Sequence, residues 1–143
     1  WPEYKEFADV CVQALQSRGL GDRLVIQSFD TRALNYIHGR YPQLRLSYLT
    51  DKSDTDFDSF MAELEFIPDW LSPHHSVVDE DLVQKCHDKG MKIVPWTVDD
   101  SDELRRLIDL RVDAIITNYP DRLLKLTRGY AEPAPGPIPE RTH

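Results

Sequence analysis

MKIVPWTVDD, Met91–Asp100, is the stretch whose reading decides the fold. An apolar run passes into Trp96-Thr97-Val98 and then into the acidic pair Asp99-Asp100. Gly90, just before it, is the stop signal of a preceding helix. Just after it, Leu104, Leu107 and Ile108 fall at helical spacing, and VDAIITNYPD (Val112–Asp121) supplies another apolar strand and turn. Strand, polar turn, helix and strand again is the grammar of a β/α unit.

Outward from this stretch the unit repeats. A helix over 3–18 carries Phe7, Val10, Cys11, Ala14 and Leu15 on one face and stops at Gly19. LVIQSF (24–29) reads as a buried strand, followed by a helix that Asp30 or Thr31 caps and that buries Leu34 and Ile37. A second strand is expected at 44–49. An acidic loop follows, then a helix with Phe57, Phe60, Met61 and Leu64 at i, i+3, i+4, i+7. A short third strand over 65–72 is interrupted by Pro68. Asp79 caps the next helix, with Leu82, Val83 and Cys86 inward; strands four and five are expected at 92–98 and 114–117. Pro120 opens the last helix.

The reading is therefore an α/β chain of five parallel strands alternating with helices, in units of roughly 20 to 30 residues with right-handed crossovers. Strands of such sheets are expected to be buried on both faces. The pattern suits an open doubly wound sheet or most of a (β/α)8 barrel, whose complete form takes about 250 residues. No glycine-rich phosphate loop follows the first strand, which weakens the dinucleotide-binding form of the open sheet. Residues 1–128 form the β/α part. The tail 129–143, rich in proline, is expected to be extended or disordered.

The 143 residues carry a net charge of −8 and a pI near 5.0, which argues against nucleic acid or an anionic membrane surface as partner. No apolar run approaches the roughly 20 residues of a transmembrane segment. The sequence opens on Trp1, where translation does not start, so a preceding segment is expected. The compartment stays open between cytoplasmic and periplasmic or secreted. Cys11 and Cys86 both fall on apolar helix faces and read as packed thiols, with a disulfide or metal pair as the alternative.

In any parallel β/α fold the chemistry lies at the carboxyl ends of the strands. Those ends collect Ser28, Phe29, Asp30, Thr50, Ser72, Trp96, Asp99, Asn118 and Asp121, a rim rich in aromatic and hydroxyl groups but without an evident nucleophile–base pair. Trp96 suits a barrel plug and a substrate-lining wall equally. Asp30, Asp99 and Asp121 stand where helix caps are needed. Gln27 and Ser28 alternate, so one of them faces a barrel interior. His74 and His75 are expected to point apart along an extended segment and have no placed third metal ligand. The acidic residues of 51–58 lack the glycine and glutamate of a calcium-binding EF-hand loop.

Together, VIQSFD (25–30), VPWTVDD (94–100) and VDAIITNYPD (112–121) resemble the glycerophosphodiester phosphodiesterase family, and the intervals between them match as well. The resemblance implies a TIM-type barrel of the phospholipase C-like phosphodiesterase kind, of which this chain is the C-terminal portion, about five of eight units. It implies hydrolysis of glycerophosphodiesters to sn-glycerol 3-phosphate and an alcohol, with a divalent metal (calcium or magnesium) and a pair of acid–base histidines. The family's His-Arg-Gly motif has no counterpart here. The His-Asp dipeptide His87-Asp88 ends a helix, and Glu3-Tyr4-Lys5 opens one. No catalytic or metal role is therefore carried over. Trp96, Phe29 and Ser28 are the expected substrate-binding residues, and Asn118 stands where the family often has Asp. The implied partners are a small-molecule glycerophosphodiester and the N-terminal part of the barrel, which would bring the metal ligands. The alternative is a barrel remnant without catalysis, serving as a binding or scaffold module.

Overall fold

A computed structural model describes residues 3–53 and 56–128. The tail expected to be disordered and part of the acidic loop lie outside the described residues. The elements run α1 (Tyr4–Gln16), a 3₁₀ turn (Gly21–Arg23), β1 (Val25–Ser28), α2 (Thr31–Arg40), β2 (Arg45–Thr50) and α3 (Phe57–Met61). There follow β3 (Trp70–Pro73), a 3₁₀ turn (His75–Val77), α4 (Glu80–Asp88), β4 (Lys92–Ile93), α5 (Ser101–Asp109) and α6 (Pro120–Thr127).

Local chemistry explains where the helices begin and end. Asp30 accepts the Arg32 N–H at 2.9 Å, Asp56 that of Ser59 at 3.0 Å, Asp79 that of Leu82 at 2.8 Å and Asp100 that of Glu103 at 3.0 Å. Each satisfies a donor that the first helical turn leaves open, for about 1 kcal/mol. Gly90 follows α4 at φ 74°, a conformation that a Cβ would strain. Asp79 caps as expected, but of Asp30, Asp99 and Asp121 at the strand ends only Asp30 does so. Asp100 rather than Asp99 caps α5. Asp121 lies within the first turn of α6, whose start is set by Pro120 without a side-chain cap.

The sheet is wholly parallel and its strands are ordered β1-β2-β3-β4, as in the chain. A doubly wound sheet reverses its order at a switch point and covers both faces with helices; a barrel wall does neither. Partners in register share a face, so Ser28, Tyr48, Leu71 and Ile93 project together. The last three join Leu34, Ile37, Phe60, Leu82, Cys86 and Leu104 of the helices in one buried core. Cys86 is a free, buried thiol that burial pushes up to about 12, hence inert.

The opposite face carries Gln27, Ser47, Trp70 and Lys92 in one row. Gln27 and Lys92 are exposed. Burial on both faces is therefore not what the described residues show: the helices cover one face, and the face that a closed barrel turns inward is open. Small Ser47 and Ser72 are nevertheless 1 % exposed, shielded by their larger neighbours.

The expected fifth strand, 114–117, is not a regular one. It lies beside 93–98 through three backbone bonds, Asp113 N–H to Ile93 O at 3.0 Å, Ile116 N–H to Pro95 O at 3.0 Å and Val98 N–H to Ile116 O at 2.9 Å. Pro95 occupies the ladder position whose N–H would bond Ala114, and proline has none to give. Asp113 makes up part of the loss: its carboxylate accepts the Ile93 N–H at 2.8 Å and contacts His87 Nε2 at 2.9 Å. The same proline limits β4 to Lys92–Ile93, although Val94 and Trp96 still donate to Leu71 and Pro73.

Behind β3 the 3₁₀ turn is clamped to α5. Glu103 accepts from Arg106 at 2.6 and 3.0 Å and meets His75 Nδ1 at 3.0 Å, while Arg106 also donates to the Val78 and His75 carbonyls. The Arg106 guanidinium, with His75 beside it, holds the Glu103 carboxyl down to about 2.

Two stability measurements follow from this arrangement. Leu71→Ala, at a fully buried position central to the sheet, should lower the unfolding free energy by about 2–5 kcal/mol in urea titrations. Glu103→Gln should destabilise the protein at neutral pH. Because the native carboxyl is depressed, its contribution is complete above about 4.5 and disappears as pH falls towards about 2. The difference between the two proteins should therefore close over that window.

Candidate substrate pocket

On the open face, at the carboxyl ends of the strands, three rings meet. Phe29 follows β1, His74 follows β3 and Trp96 lies beyond β4. Register places them together: His74 bridges Trp96 in parallel fashion, and Phe29 continues the alternation of exposed Gln27. The Phe29 and Trp96 rings are edge to face, with centroids 6.2 Å apart at 89°. His74 also meets the indole edge to face, at 5.3 Å and 87°. Such quadrupole-matched contacts are each worth about 0.5–1.5 kcal/mol between aromatic rings beyond the area they bury. Trp96 is further held by its Nε1–H, which donates to the Ser72 carbonyl at 3.1 Å. Ser72 in turn donates its hydroxyl to Val94 O at 2.7 Å. The indole is thus a fixed wall, partly open to solvent, with Phe29 55 % exposed beside it.

Ser28 is not brought to this cluster. Register turns it to the helix-covered side with Tyr48, and its Oγ accepts the Asp30 N–H at 3.0 Å. That bond shapes the turn that presents Phe29, so Ser28 supports the wall from behind.

His74 and His75 do not point apart. The chain leaves the extended conformation and enters the 3₁₀ turn, which leaves the two rings 4.4 Å apart. A metal is not the reason. Among the described residues no group of three or more His, Cys, Asp or Glu could hold one, and the rim carboxylates are engaged. Asp99 accepts from Thr117 Oγ1, Asn118 N–H and Asn118 Nδ2 at 2.9–3.1 Å, which pulls its carboxyl below the usual range. Asp30 is taken by Arg32 at 2.8 Å. The described residues therefore do not fit a divalent ion. What they provide is an apolar wall with polar groups at its margin, the usual make-up of a pocket for a small molecule with both carbon and oxygen surface.

Sequence comparison adds a family to this geometry. The chain matches the glycerophosphoryl diester phosphodiesterase family over residues 2–122. It is 27 % identical over 125 residues to a glycerophosphodiester phosphodiesterase of Caldanaerobacter subterraneus, which covers 87 % of this chain and 51 % of that protein. Among solved structures, a glycerophosphodiester phosphodiesterase from Parabacteroides distasonis superposes with a TM-score of 0.77 at 28 % identity, covering 90 % of this chain and 53 % of that one. A phosphodiesterase from Oleispira antarctica in complex with the product sn-glycerol-3-phosphate shares the fold, with a TM-score of 0.61 at 21 % identity over 73 % of this chain and 42 % of its own. The chain spans about half the length of the relatives it matches. Parallel strands in chain order, helices on one face and a family match across all the strands agree: the chain is part of a TIM-type barrel and belongs to the glycerophosphoryl diester phosphodiesterase family.

Proposed function

We propose that this chain forms the substrate-binding wall of a metal-dependent enzyme that hydrolyses glycerophosphodiesters to sn-glycerol 3-phosphate and an alcohol. The observation that carries the reading is the Phe29–Trp96 pair, fixed at the carboxyl ends of the strands on the open face. A glycerol unit offers C–H surface to aromatic rings and hydroxyls to the polar margin, and its phosphate needs water excluded on one side. Phe29 and Trp96 do the packing, and Ser28 holds the Phe29 turn. The sn-glycerol-3-phosphate bound by the Oleispira antarctica phosphodiesterase is a ligand of this class.

The acid–base groups and the ligands of a calcium or magnesium ion would come from a partner segment, the remaining β/α units of the barrel. The ends of this sheet suit such a partner. Among the described residues β1 has no neighbour on its outer edge. Phe7 and Val10 on α1 are more than 60 % exposed, and at the other end Ile116 and Leu124 are 39 % and 58 % exposed. Apolar surface at both ends of a row of β/α units is what ring closure covers.

The test uses the full-length protein that carries this segment. It should release sn-glycerol 3-phosphate from glycerophosphocholine, and exhaustive chelation should abolish the release. Trp96→Ala should lower kcat/KM about tenfold, the loss of roughly 1.4 kcal/mol of contact. No hydrolysis of any glycerophosphodiester, with sn-glycerol 3-phosphate still bound, would leave only the binding-module reading. Undiminished activity after complete metal removal would overturn the metal-dependent form.

A further inference from the structure

His74 ends the extended run of β3 and caps the 3₁₀ turn behind it. Its Nδ1 accepts the Ser76 N–H at 3.3 Å and stands 2.8 Å from Ser76 Oγ. A ring nitrogen that accepts a backbone N–H has its lone pair free and carries no proton, so the neutral imidazole keeps its proton on Nε2. That Nε2–H has no hydrogen-bond partner among the described residues. The ring is packed against the Trp96 indole and lies 4.4 Å from the His75 ring. His75 is itself immobilised through Glu103 and through its N–H to Trp96 O.

Neighbouring hydroxyls are already used within the fold. Ser72 donates to Val94 and Thr117 donates to Asp99. The rim therefore holds a fixed N–H donor next to its aromatic wall and on the same face.

We infer that His74 is a substrate-contacting residue, its Nε2–H donating to a phosphoryl oxygen of the glycerophosphodiester while Trp96 and Phe29 pack the glycerol carbons. The inference rests on the pocket reading above. A phosphodiester shares its negative charge between two non-bridging oxygens, and a hydrogen bond to a charged acceptor is roughly twice as strong as one between neutral groups. With Nδ1 committed to Ser76, the part of the ring is to orient the phosphate. Such a bond, made alike to substrate and transition state, affects KM and leaves kcat alone.

In the full-length enzyme, His74→Phe keeps a ring against Trp96 but removes the donor. It should raise KM about tenfold, with kcat within about twofold of the parent. His74→Gln, whose amide presents an N–H at similar reach, should recover most of the loss. An unchanged KM in His74→Phe overturns the inference. A direct reading on the unaltered protein needs no variant: titration with sn-glycerol 3-phosphate, followed by ¹⁵N NMR, should shift His74 Nε2, whereas glycerol should not. Movement of the Trp96 indole resonance with His74 Nε2 unmoved refutes the His74 contact and leaves the pocket intact. Stillness of both refutes the pocket as well.

Discussion

Backbone hydrogen bonds on either side of Trp96 hold the rim together. Its N–H donates to Pro73 at 3.1 Å and its carbonyl accepts from His75 at 3.0 Å, so the chain leaving Pro95 stays in register with β3 past the last residue of β4. Everything that gives this aromatic rim its shape depends on that register. It sets His74 and Trp96 on one face, brings the indole Nε1–H within reach of Ser72, and lets the Phe29 ring close on the indole from β1. The Glu103–Arg106–His75 clamp secures the same turn from behind. A two-residue strand would be a weak anchor; a rim bonded through both backbone and side chain is not.

Much of the framework was legible because it rests on local rules. The apolar stretches around Ile26 and Leu46, the caps Asp30 and Asp79, the stop at Gly90 and the opening Pro120 all appear where periodicity and capping chemistry place them. Trp96 and Phe29 were visible as strand-end aromatics, and their meeting follows from the alternation of side chains once the strands pair. What escaped the sequence depends on register or on a competing partner. Ser28 and Phe29 are neighbours of similar promise, and only the pairing of Ser28 with Tyr48 shows which faces the helices. Asp99 and Asp100 are chemically identical cap candidates, separated by the reach of Asn118 and Thr117. His74 gave no signal alone, because the setting of its ring depends on Ser76 two residues on. Pro95 was in plain view within the fourth strand. Its missing N–H is the one feature that could have warned against a regular fifth strand.

The open face and the sheet's two ends express the same fact. Half of a barrel wall keeps a complete helix-facing core, since each helix needs only the strands beside it. The inward face and the end helices, by contrast, find cover only when the ring is complete. Polar Gln27 and Lys92 at the two ends of the inward row let that face meet water where a uniformly apolar one would drive aggregation. Lys92 also lies 5.6 Å above the Trp70 ring, which covers part of the indole with a charged side chain.

Strand order has a kinetic meaning too. Each pairing, Ser28 with Tyr48, Tyr48 with Leu71 and Leu71 with Ile93, joins residues roughly twenty apart. The loop-closure entropy is therefore nearly the same at every step and grows only slowly with length. No long-range closure is needed before the core of Leu46, Leu71 and Ile93 begins to form, so folding can nucleate at any adjacent pair of units and spread to its neighbours. Closing such a row of units into the ring proposed above would be the one step that joins distant parts of a chain.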